Sequence, residues 1–198
     1  MLESHYTSDR IEAGCDEAGR GSLAGPLFAA AVILPKGYRH TMLNDSKQLS
    51  RRQRESLRTE VERDALAFAV SRIEAQTIDE INILNASFRG MEEAVLQLSP
   101  RPELLLIDGN RFRSSLQIPY QCIVKGDGKF LSIAAASVLA KTYRDDFMEA
   151  LHASFPVYHW NKNKGYPTQE HREAIAAHGI TPHHRRSFRL EAQLKMIF

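Results

Sequence analysis

Residues 11–34 read IEAGCDEAGRGSLAGPLFAAAVIL, and the order of apolar and glycine-rich parts in this segment sets the expected architecture. Its first five residues are partly apolar and lead into an acidic pair, Asp16 and Glu17, followed by a glycine-rich turn. The run over residues 27–34 is continuously apolar, which is typical of a strand buried on both faces. We therefore predict two strands, over residues 11–15 and 27–34, with the acidic pair between them.

Helix and strand patterns alternate along the rest of the chain. Ser50 with Gln53 forms a capping box that opens a polar helix to about residue 63, and Thr77 with Glu80 repeats the pattern for a helix reaching Leu98. Further strands are predicted over residues 65–73, 104–107 and 120–124, further helices over 130–155, with one buried face, and 168–177, and a loop over 156–167. The pattern indicates an α/β fold with a mixed sheet, whose strand order the pattern does not determine.

Composition limits the class of protein. The chain has 198 residues, enough for one domain with its own core, and its 43% apolar and 25% charged residues argue against disorder or low complexity. Because no apolar run reaches the length of a membrane span and the N-terminus lacks an export signal, we expect a cytoplasmic protein with no membrane partner. Cys15 and Cys122 lack CxxC spacing and are predicted to be reduced thiols.

Positive charge is concentrated near the C-terminus, although the net charge is only +2. Residues 159–195 contain seven Lys or Arg residues against three acidic residues. Such a segment either faces phosphates or forms an ordinary solvated surface, and charge alone does not choose between these.

Acidic residues follow three of the predicted strands: Asp16 and Glu17 the first, Asp108 the fourth and Asp127 the fifth. Ligand sites of open α/β sheets collect at strand ends, so these carboxylates can converge if the strands are neighbours. Their mutual repulsion indicates a hard divalent cation, Mg²⁺ or Mn²⁺, whereas isolated cysteines and histidines without metal-ligand spacing argue against zinc. The competing interpretation is that the aspartates at 108 and 127, each followed by glycine, are ordinary turn residues.

The glycine-rich segment 19–26 invites a dinucleotide-binding interpretation. Its spacing, however, is GxGxxxG instead of GxGxxG, and a strand-like run follows where that motif requires a helix. No P-loop motif GxxxxGK[ST] occurs in the sequence. We therefore favour a role for Gly19, Arg20 and Gly21 beside the acidic pair, where glycine lets the backbone approach a ligand closely.

Residues 15–26, CDEAGRGSLAGP, closely resemble the opening signature of bacterial ribonuclease HII, the type 2 RNase H family. Further motifs follow in that family's order: Asp45-Ser46-Lys47, residues 81–87 (INILNAS), Ile107-Asp108-Gly109, Lys125-Gly126-Asp127, residues 132–141, Arg144-Asp145, Lys164-Gly165-Tyr166 and residues 184–188 (HRRSF). Each motif alone is weak, but their ordered combination over nearly the whole chain is very specific.

The resemblance implies an RNase H-like fold in a single domain, 1–198, with a catalytic sheet core at about 11–155 and a basic helical C-terminal extension at about 156–198. It implies metal-dependent cleavage of RNA in RNA-DNA hybrids and on the 5′ side of single ribonucleotides in duplex DNA, leaving 3′-hydroxyl and 5′-phosphate ends. Such an enzyme removes ribonucleotides from DNA. Its partners are then the hybrid and the ribonucleotide-containing duplex, and we expect a monomer. The family's four metal-site acids match Asp16, Glu17, Asp108 and Asp127.

The resemblance also implies substrate contacts. The family's Gly-Arg-Gly element, which reads the ribonucleotide at an RNA-to-DNA junction, maps onto Gly19, Arg20 and Gly21, and its junction tyrosine onto Tyr166. Expected phosphate contacts are the cations Lys47, Lys164, Arg185 and Arg186. Asp145 is expected to support the metal-site acids, with a helix-surface ion pair as the alternative. A nucleic-acid-binding module with this fold but no catalysis is the competing functional class.

Overall fold

A computed structural model describes residues 2–43 and 50–190 of the chain. Its strands are β1 (Glu12–Ala18), β2 (Leu27–Ile33), β3 (Ala67–Ile73), β4 (Leu104–Asp108) and β5 (Tyr120–Ile123). Its helices are α1 (Arg51–Asp64), α2 (Ala75–Ile81), α3 (Ile83–Leu96), α4 (Leu131–Ser154), α5 (Trp160–Asn163) and α6 (Gln169–His178), with 3₁₀ turns at Gly126–Gly128 and Pro156–Tyr158. None of the helices in the described residues is long and apolar enough to cross a bilayer.

The five strands form one sheet in the order β3-β2-β1-β4-β5. β1, β2 and β3 pair antiparallel, whereas β4 and β5 add to β1 in parallel. The predicted α/β class with a mixed sheet is confirmed. This order places the carboxyl ends of β1 and β4 next to each other in the middle of the sheet, where a ligand site is expected.

Helices cover both faces of the sheet. Odd-numbered strand residues such as Cys15 and Ile107 pack with Met91 of α3, whereas even-numbered residues such as Val32 pack under α4 and α1. The approach of α4 depends on Gly14, because a Cβ built there would lie only 2.2 Å from the carbonyl carbon of Ser132. The N-terminal part of α4 is therefore in direct backbone contact with β1.

Several predicted strand ends are wrong by one to three residues, and two of these, the ends of β1 and β4, concern acidic residues. β1 continues through Asp16 and Glu17 to Ala18, and Asp108 is the last residue of β4. The reason for β1 is tertiary: the antiparallel partner β2 supplies a ladder that pairs Ala18 with Phe28. Asp16, Glu17 and Asp108 therefore lie within strands, whose hydrogen bonds fix their backbones.

The helix predictions hold in part. Ser50 caps α1 with Gln53 in a reciprocal capping box, as predicted. The capping box at Thr77 is wrong, because the helix already begins at Ala75, and Asn82, with φ of 64°, divides the predicted helix into α2 and α3. The Asn82 side chain accepts hydrogen bonds from two backbone N–H groups of α3 and so caps that helix.

The long helix α4 differs from its prediction in burial. Its residues 131–140 are buried on all sides, not on one face only. The small side chains Ala134, Ala135 and Ala136 allow this, because they let the helix lie close to the sheet.

The C-terminal part packs against the end of α4. The predicted loop 156–167 contains a 3₁₀ turn and α5, and Trp160 is fully buried with Met148 and Leu23. A β-bridge joins Ala24 to His184. The extension thus holds the segment that follows the acidic pair; its residues 191–198 lie outside the described residues.

Candidate active site

Asp16 and Asp108 are neighbours across two parallel strands. The register pairs Cys15 with Ile107, so the residues that follow them are adjacent on strands about 4.8 Å apart. Side chains alternate along a strand, and Leu106 packs with Ile133 of α4, so both aspartates lie on the α4 face of the sheet.

The Asp16 carboxylate is held among groups that disfavour its charge. It is 7% exposed, and burial, followed by the negative charges of Glu17 and Asp108, raises its pKa well above the usual range. Hydrogen bonds from the Ser137 hydroxyl and from the Glu17 N–H, 2.7 Å from Oδ1, oppose this shift without cancelling it. A cation beside Asp16 would remove the penalty.

The 3₁₀ turn that carries Asp127 is bonded to the end of β4. The N–H of Gly126 donates to Asp108 Oδ1 at 2.7 Å and ties this turn to the end of β4. Lys125, with φ of 56°, reverses the chain just before it. Asp127 is only 3% exposed, which is unusual for an aspartate in an ordinary surface turn and favours the site interpretation.

Glu17 occupies the opposite face from Asp16, as alternation along β1 requires. Its side chain is 7% exposed, and Oε1 accepts a hydrogen bond from Nη1 of Arg20 at 3.1 Å. The Arg20 side chain itself is half exposed. An arginine thus sits where a cation is expected near the acidic pair.

The donor set suits a hard divalent cation. All four acids offer carboxylate oxygens, the ligands that Mg²⁺ and Mn²⁺ prefer, and the raised pKa of Asp16 reports negative charge without sufficient compensation. Over residues 2–43 and 50–190, no three His, Cys, Asp or Glu side chains converge as ready ligands of one ion. Binding would therefore require the carboxylates to turn toward the ion, Glu17 releasing Arg20 in the process.

The Gly-Arg-Gly loop follows directly on β1. Gly19 has φ of 95°, and a Cβ there would lie 2.2 Å from Nε of Arg144. Both the backbone conformation and the guanidinium beneath it thus require glycine. Gly21 has open space at the Cβ position, so its backbone is accessible from solvent.

Tyr166 is placed beside this loop. The carbonyl of Gly165 accepts hydrogen bonds from the N–H groups of Leu23, at 2.8 Å, and Ala24, at 3.3 Å. The half-buried ring of Tyr166 lies over Arg144, with its centroid 5.3 Å from Cζ. The structure therefore brings together the two elements that the resemblance assigns to junction recognition.

The predicted phosphate contacts have different surroundings. Lys164 is tied to Glu149 and donates to the Asn161 carbonyl at 2.7 Å, so its charge is already paired. Arg185 is fully buried, which corrects its prediction as a direct phosphate contact. Arg186 is exposed beside a cavity of about 480 Å³, and Lys47 lies outside the described residues.

Asp145 lies in an ion pair. Its carboxylate accepts hydrogen bonds from Lys141 at 2.7 and 2.9 Å, and Arg54 lies 4.0 Å away. Eight residues of helix, about 12 Å, separate Asp145 from Ser137, which contacts Asp16. These contacts match the alternative interpretation, in which Asp145 takes part in an ion pair on the helix.

Sequence reasoning missed the roles of Arg144 and Ser137. Both fall on the buried surface of α4, Ser137 against Asp16 and Arg144 beneath the Gly-Arg-Gly loop. The available signal was an arginine four residues before the buried Met148, on an otherwise apolar stripe. A charge on such a stripe predicts a buried guanidinium with backbone partners.

Comparison with known proteins places the chain in one family. The sequence model of the family "Ribonuclease HII" matches residues 13–191. A ribonuclease HII of Bacteroides thetaiotaomicron is 60% identical over 200 residues, covering all of both chains.

Solved structures share the fold. RNase HII from Archaeoglobus fulgidus, solved in a complex with PCNA, superimposes with a TM-score of 0.78 at 27% identity, over 95% of this chain and all of that one. Bst-RNase HIII, solved with Mn²⁺, shares the fold with a TM-score of 0.72 at 19% identity, over 91% of this chain and 67% of that one. With the family model spanning nearly its whole length and a full-length relative at 60% identity, the chain belongs to the ribonuclease HII family.

Proposed function

We propose that this ribonuclease H is a divalent-metal-dependent endonuclease with two substrates. It cuts the RNA strand of RNA-DNA hybrids, and it cuts on the 5′ side of single ribonucleotides in duplex DNA, leaving 3′-hydroxyl and 5′-phosphate ends. The observation that carries the proposal is the adjacency of Asp16 and Asp108 on parallel strands, with the pKa of Asp16 raised by burial and by its acidic neighbours. Ribonucleotide removal from DNA, by a cytoplasmic monomer, is the corresponding role.

Asp16, Glu17, Asp108 and Asp127 would hold the cation, and either Mg²⁺ or Mn²⁺ suits their oxygen donors. When bound, divalent cations at such a site supply an activated water and stabilise the leaving 3′-oxygen. The chain's own contribution is placement. Ser137 and the Glu17 N–H orient the Asp16 carboxylate, and the Gly126 N–H orients that of Asp108.

Recognition of the ribonucleotide requires contact with its 2′-hydroxyl, which is both donor and acceptor. The backbone of Gly19 to Gly21 supplies such groups next to the acids, and Arg20 can leave Glu17 for the adjoining phosphate. Tyr166 offers a ring face for the neighbouring deoxyribose or base. Arg186 is an exposed cation of the C-terminal part that can contact a more distant phosphate, and Lys47 keeps that proposed role.

The test is cleavage of a labelled DNA duplex that contains one ribonucleotide, with Mg²⁺, Mn²⁺ or EDTA. We expect one metal-dependent cut 5′ to the ribonucleotide and none in an all-DNA duplex. Asp108→Asn keeps the acceptor for the Gly126 N–H but removes the charge, so it should lower the rate by about 10³-fold or more while sparing binding. Folded wild-type protein that binds but cuts neither substrate with either metal would establish a binding module instead.

A further inference from the structure

Two arginines lie buried beneath the segment that follows the acidic pair. Arg144 of α4 is 1% exposed and Arg185 is 0% exposed. Arg144 donates from Nε to the Pro26 carbonyl at 3.0 Å and from Nη2 to the Ala24 carbonyl at 3.2 Å. Arg185 donates from Nε to the Gly25 carbonyl at 3.0 Å and from Nη1 to the Arg20 carbonyl at 3.1 Å. Together they hold four carbonyls of one seven-residue segment, 20–26.

Neither guanidinium forms an ion pair with a carboxylate among the described residues, and Asp145 and Asp79 act on Arg144 and Arg185 only as nearby charges. Every hydrogen bond that these residues show for the two side chains ends on a backbone carbonyl, and Nη1 of Arg144 and Nη2 of Arg185 have none. Burying two positive charges without ion-paired carboxylates is unfavourable, because burial penalises the charged form of both arginines. The arrangement therefore indicates a functional requirement that outweighs this cost.

Arg144 joins the two proposed recognition elements. Its guanidinium fills the space at the Cβ position of Gly19, with Nε 2.2 Å and Cζ 2.9 Å from a Cβ built there. The same group lies under the Tyr166 ring, 5.3 Å from its centroid. A shift of this side chain would displace the loop and the ring relative to each other. Arg185 also holds the loop, through the Arg20 carbonyl, but its ring contact is with Phe188.

We propose that Arg144 is a positioning residue for junction specificity: it sets the distance between the Gly19–Gly21 backbone and the Tyr166 ring. This inference rests on the proposed function, because it concerns how that site separates a single ribonucleotide from a continuous RNA strand. A junction presents one 2′-hydroxyl to the loop and a deoxyribose to the ring, so both must be correctly spaced. A continuous RNA strand offers many registers and tolerates misplacement better.

The test compares kcat/KM on the single-ribonucleotide duplex with that on a continuous hybrid. Arg144→Lys keeps the charge but loses the planar fork that holds two carbonyls and stacks on the ring. We expect a loss of about 10-fold or more on the junction and less than about 3-fold on the hybrid. The matched control is Arg58→Lys, which removes another arginine stacked on a tyrosine, 3.7 Å from the Tyr143 centroid, and should change neither value.

A double-mutant cycle identifies the route of the effect. In a Tyr166→Leu background, Arg144→Lys should lower the junction-to-hybrid ratio no further, because the ring that it positions is gone. If Arg144→Lys fails to fold, Arg144→Gln takes its place, since it removes the buried charge and keeps a donor for one carbonyl.

The outcomes separate the two proposals. Equal losses on both substrates in a folded variant, or full additivity with Tyr166→Leu, would overturn the role of Arg144 in specificity. Wild-type protein that cuts the hybrid but not the single-ribonucleotide duplex would instead overturn the junction part of the proposed function, whatever the variants do.

Discussion

At the scale of single residues, the charged form of Asp16 is disfavoured in the folded, metal-free protein. Its carboxylate is buried beside Glu17 and Asp108, and the hydrogen bonds from Ser137 and the Glu17 N–H do not compensate. Nothing in folding requires carboxylates on adjacent strands, and the metal-free protein bears their repulsion. Ion binding should therefore be linked to stability, because the folded chain gathers the acids and the unfolded chain does not.

Asp108→Asn tests this linkage. Without metal, the variant should be more stable than wild type by about 1 kcal/mol, because one of the repelling charges is gone while Asn can still accept from the Gly126 N–H. Thermal unfolding in EDTA measures this difference. Adding Mn²⁺ should raise the Tm of wild type clearly and that of the variant much less. An equal Mn²⁺ response in both proteins would place the ion elsewhere.

At the scale of elements, the contact between β1 and α4 leaves no room for a side chain at Gly14. α4 rests its backbone on Gly14, two residues before Asp16, and its next turn brings Ser137 to that carboxylate. The same helix carries Arg144 to the Gly-Arg-Gly loop. One helix thus aligns the acids with the Gly-Arg-Gly loop. Its distance from the sheet determines the positions of both the acids and the loop.

Gly14→Ala should therefore destabilise the protein by about 3 kcal/mol, because the new methyl group meets helix backbone instead of a movable side chain. Urea unfolding measures the effect. Gly128→Ala is the matched control: its Cβ position is open and its φ is not left-handed, so its stability should stay within about 0.5 kcal/mol of wild type. A stable Gly14→Ala protein would show that α4 can move away from β1.

Sequence patterns correctly predicted the elements whose ends depend on residues close by in the chain. The capping box of α1 lies within three residues, and its prediction is confirmed at Ser50 and Gln53. The end of β1 depends on pairing with β2, and the division at Asn82 on a left-handed residue, so neither follows from periodicity. Sequence pattern and resemblance likewise singled out the acids, but the role of Arg144 requires carbonyls 118 and 120 residues away.

At the scale of the whole molecule, the C-terminal extension holds the segment that directly follows the Gly-Arg-Gly loop. Residues 183–185 run alongside residues 23–25, with the N–H of Arg185 bonded to the Leu23 carbonyl at 2.8 Å and the N–H of Gly25 to the His183 carbonyl at 2.8 Å. Asp79 of α2 receives the N–H groups of Arg186 and Ser187 at 2.8 and 2.9 Å. The basic segment is therefore partly a clamp, not only a surface for phosphate.

A buried chain of rings anchors this clamp. The Trp160 N–H donates to Nε2 of His171 at 3.0 Å, and Nδ1 of His171 lies 3.0 Å from the Tyr166 carbonyl. Nδ1 of His184 accepts the Thr181 N–H at 2.9 Å, which leaves its Nε2 as the donor toward His171, 3.3 Å away. All these contacts are satisfied with both imidazoles neutral, and a proton on His171 Nε2 would face two donors.

The network predicts a specific loss of stability in acid. Burial, then the charges of His171 and His183, lowers the pKa of His184 from 6.5 to about 4, and burial also lowers that of His171. The unfolded chain therefore takes up protons first as the pH falls. The stabilisation is complete above pH 6.5 and declines toward pH 4, by about 3 kcal/mol for His184 alone.

His184→Asn tests this linkage, because the Asn oxygen can accept the Thr181 N–H but does not titrate. Relative to wild type, this variant should be less stable at pH 7, and the difference should shrink steadily between pH 6.5 and 4 in urea unfolding. His178→Asn, at an exposed histidine of α6, should follow the wild-type pH dependence. Parallel curves for wild type and His184→Asn would show that His184 titrates alike in the folded and unfolded chains.

The network also ends on the Tyr166 carbonyl. Lowering the pH from 6.5 to 4 should therefore weaken the selectivity for the single-ribonucleotide junction as well.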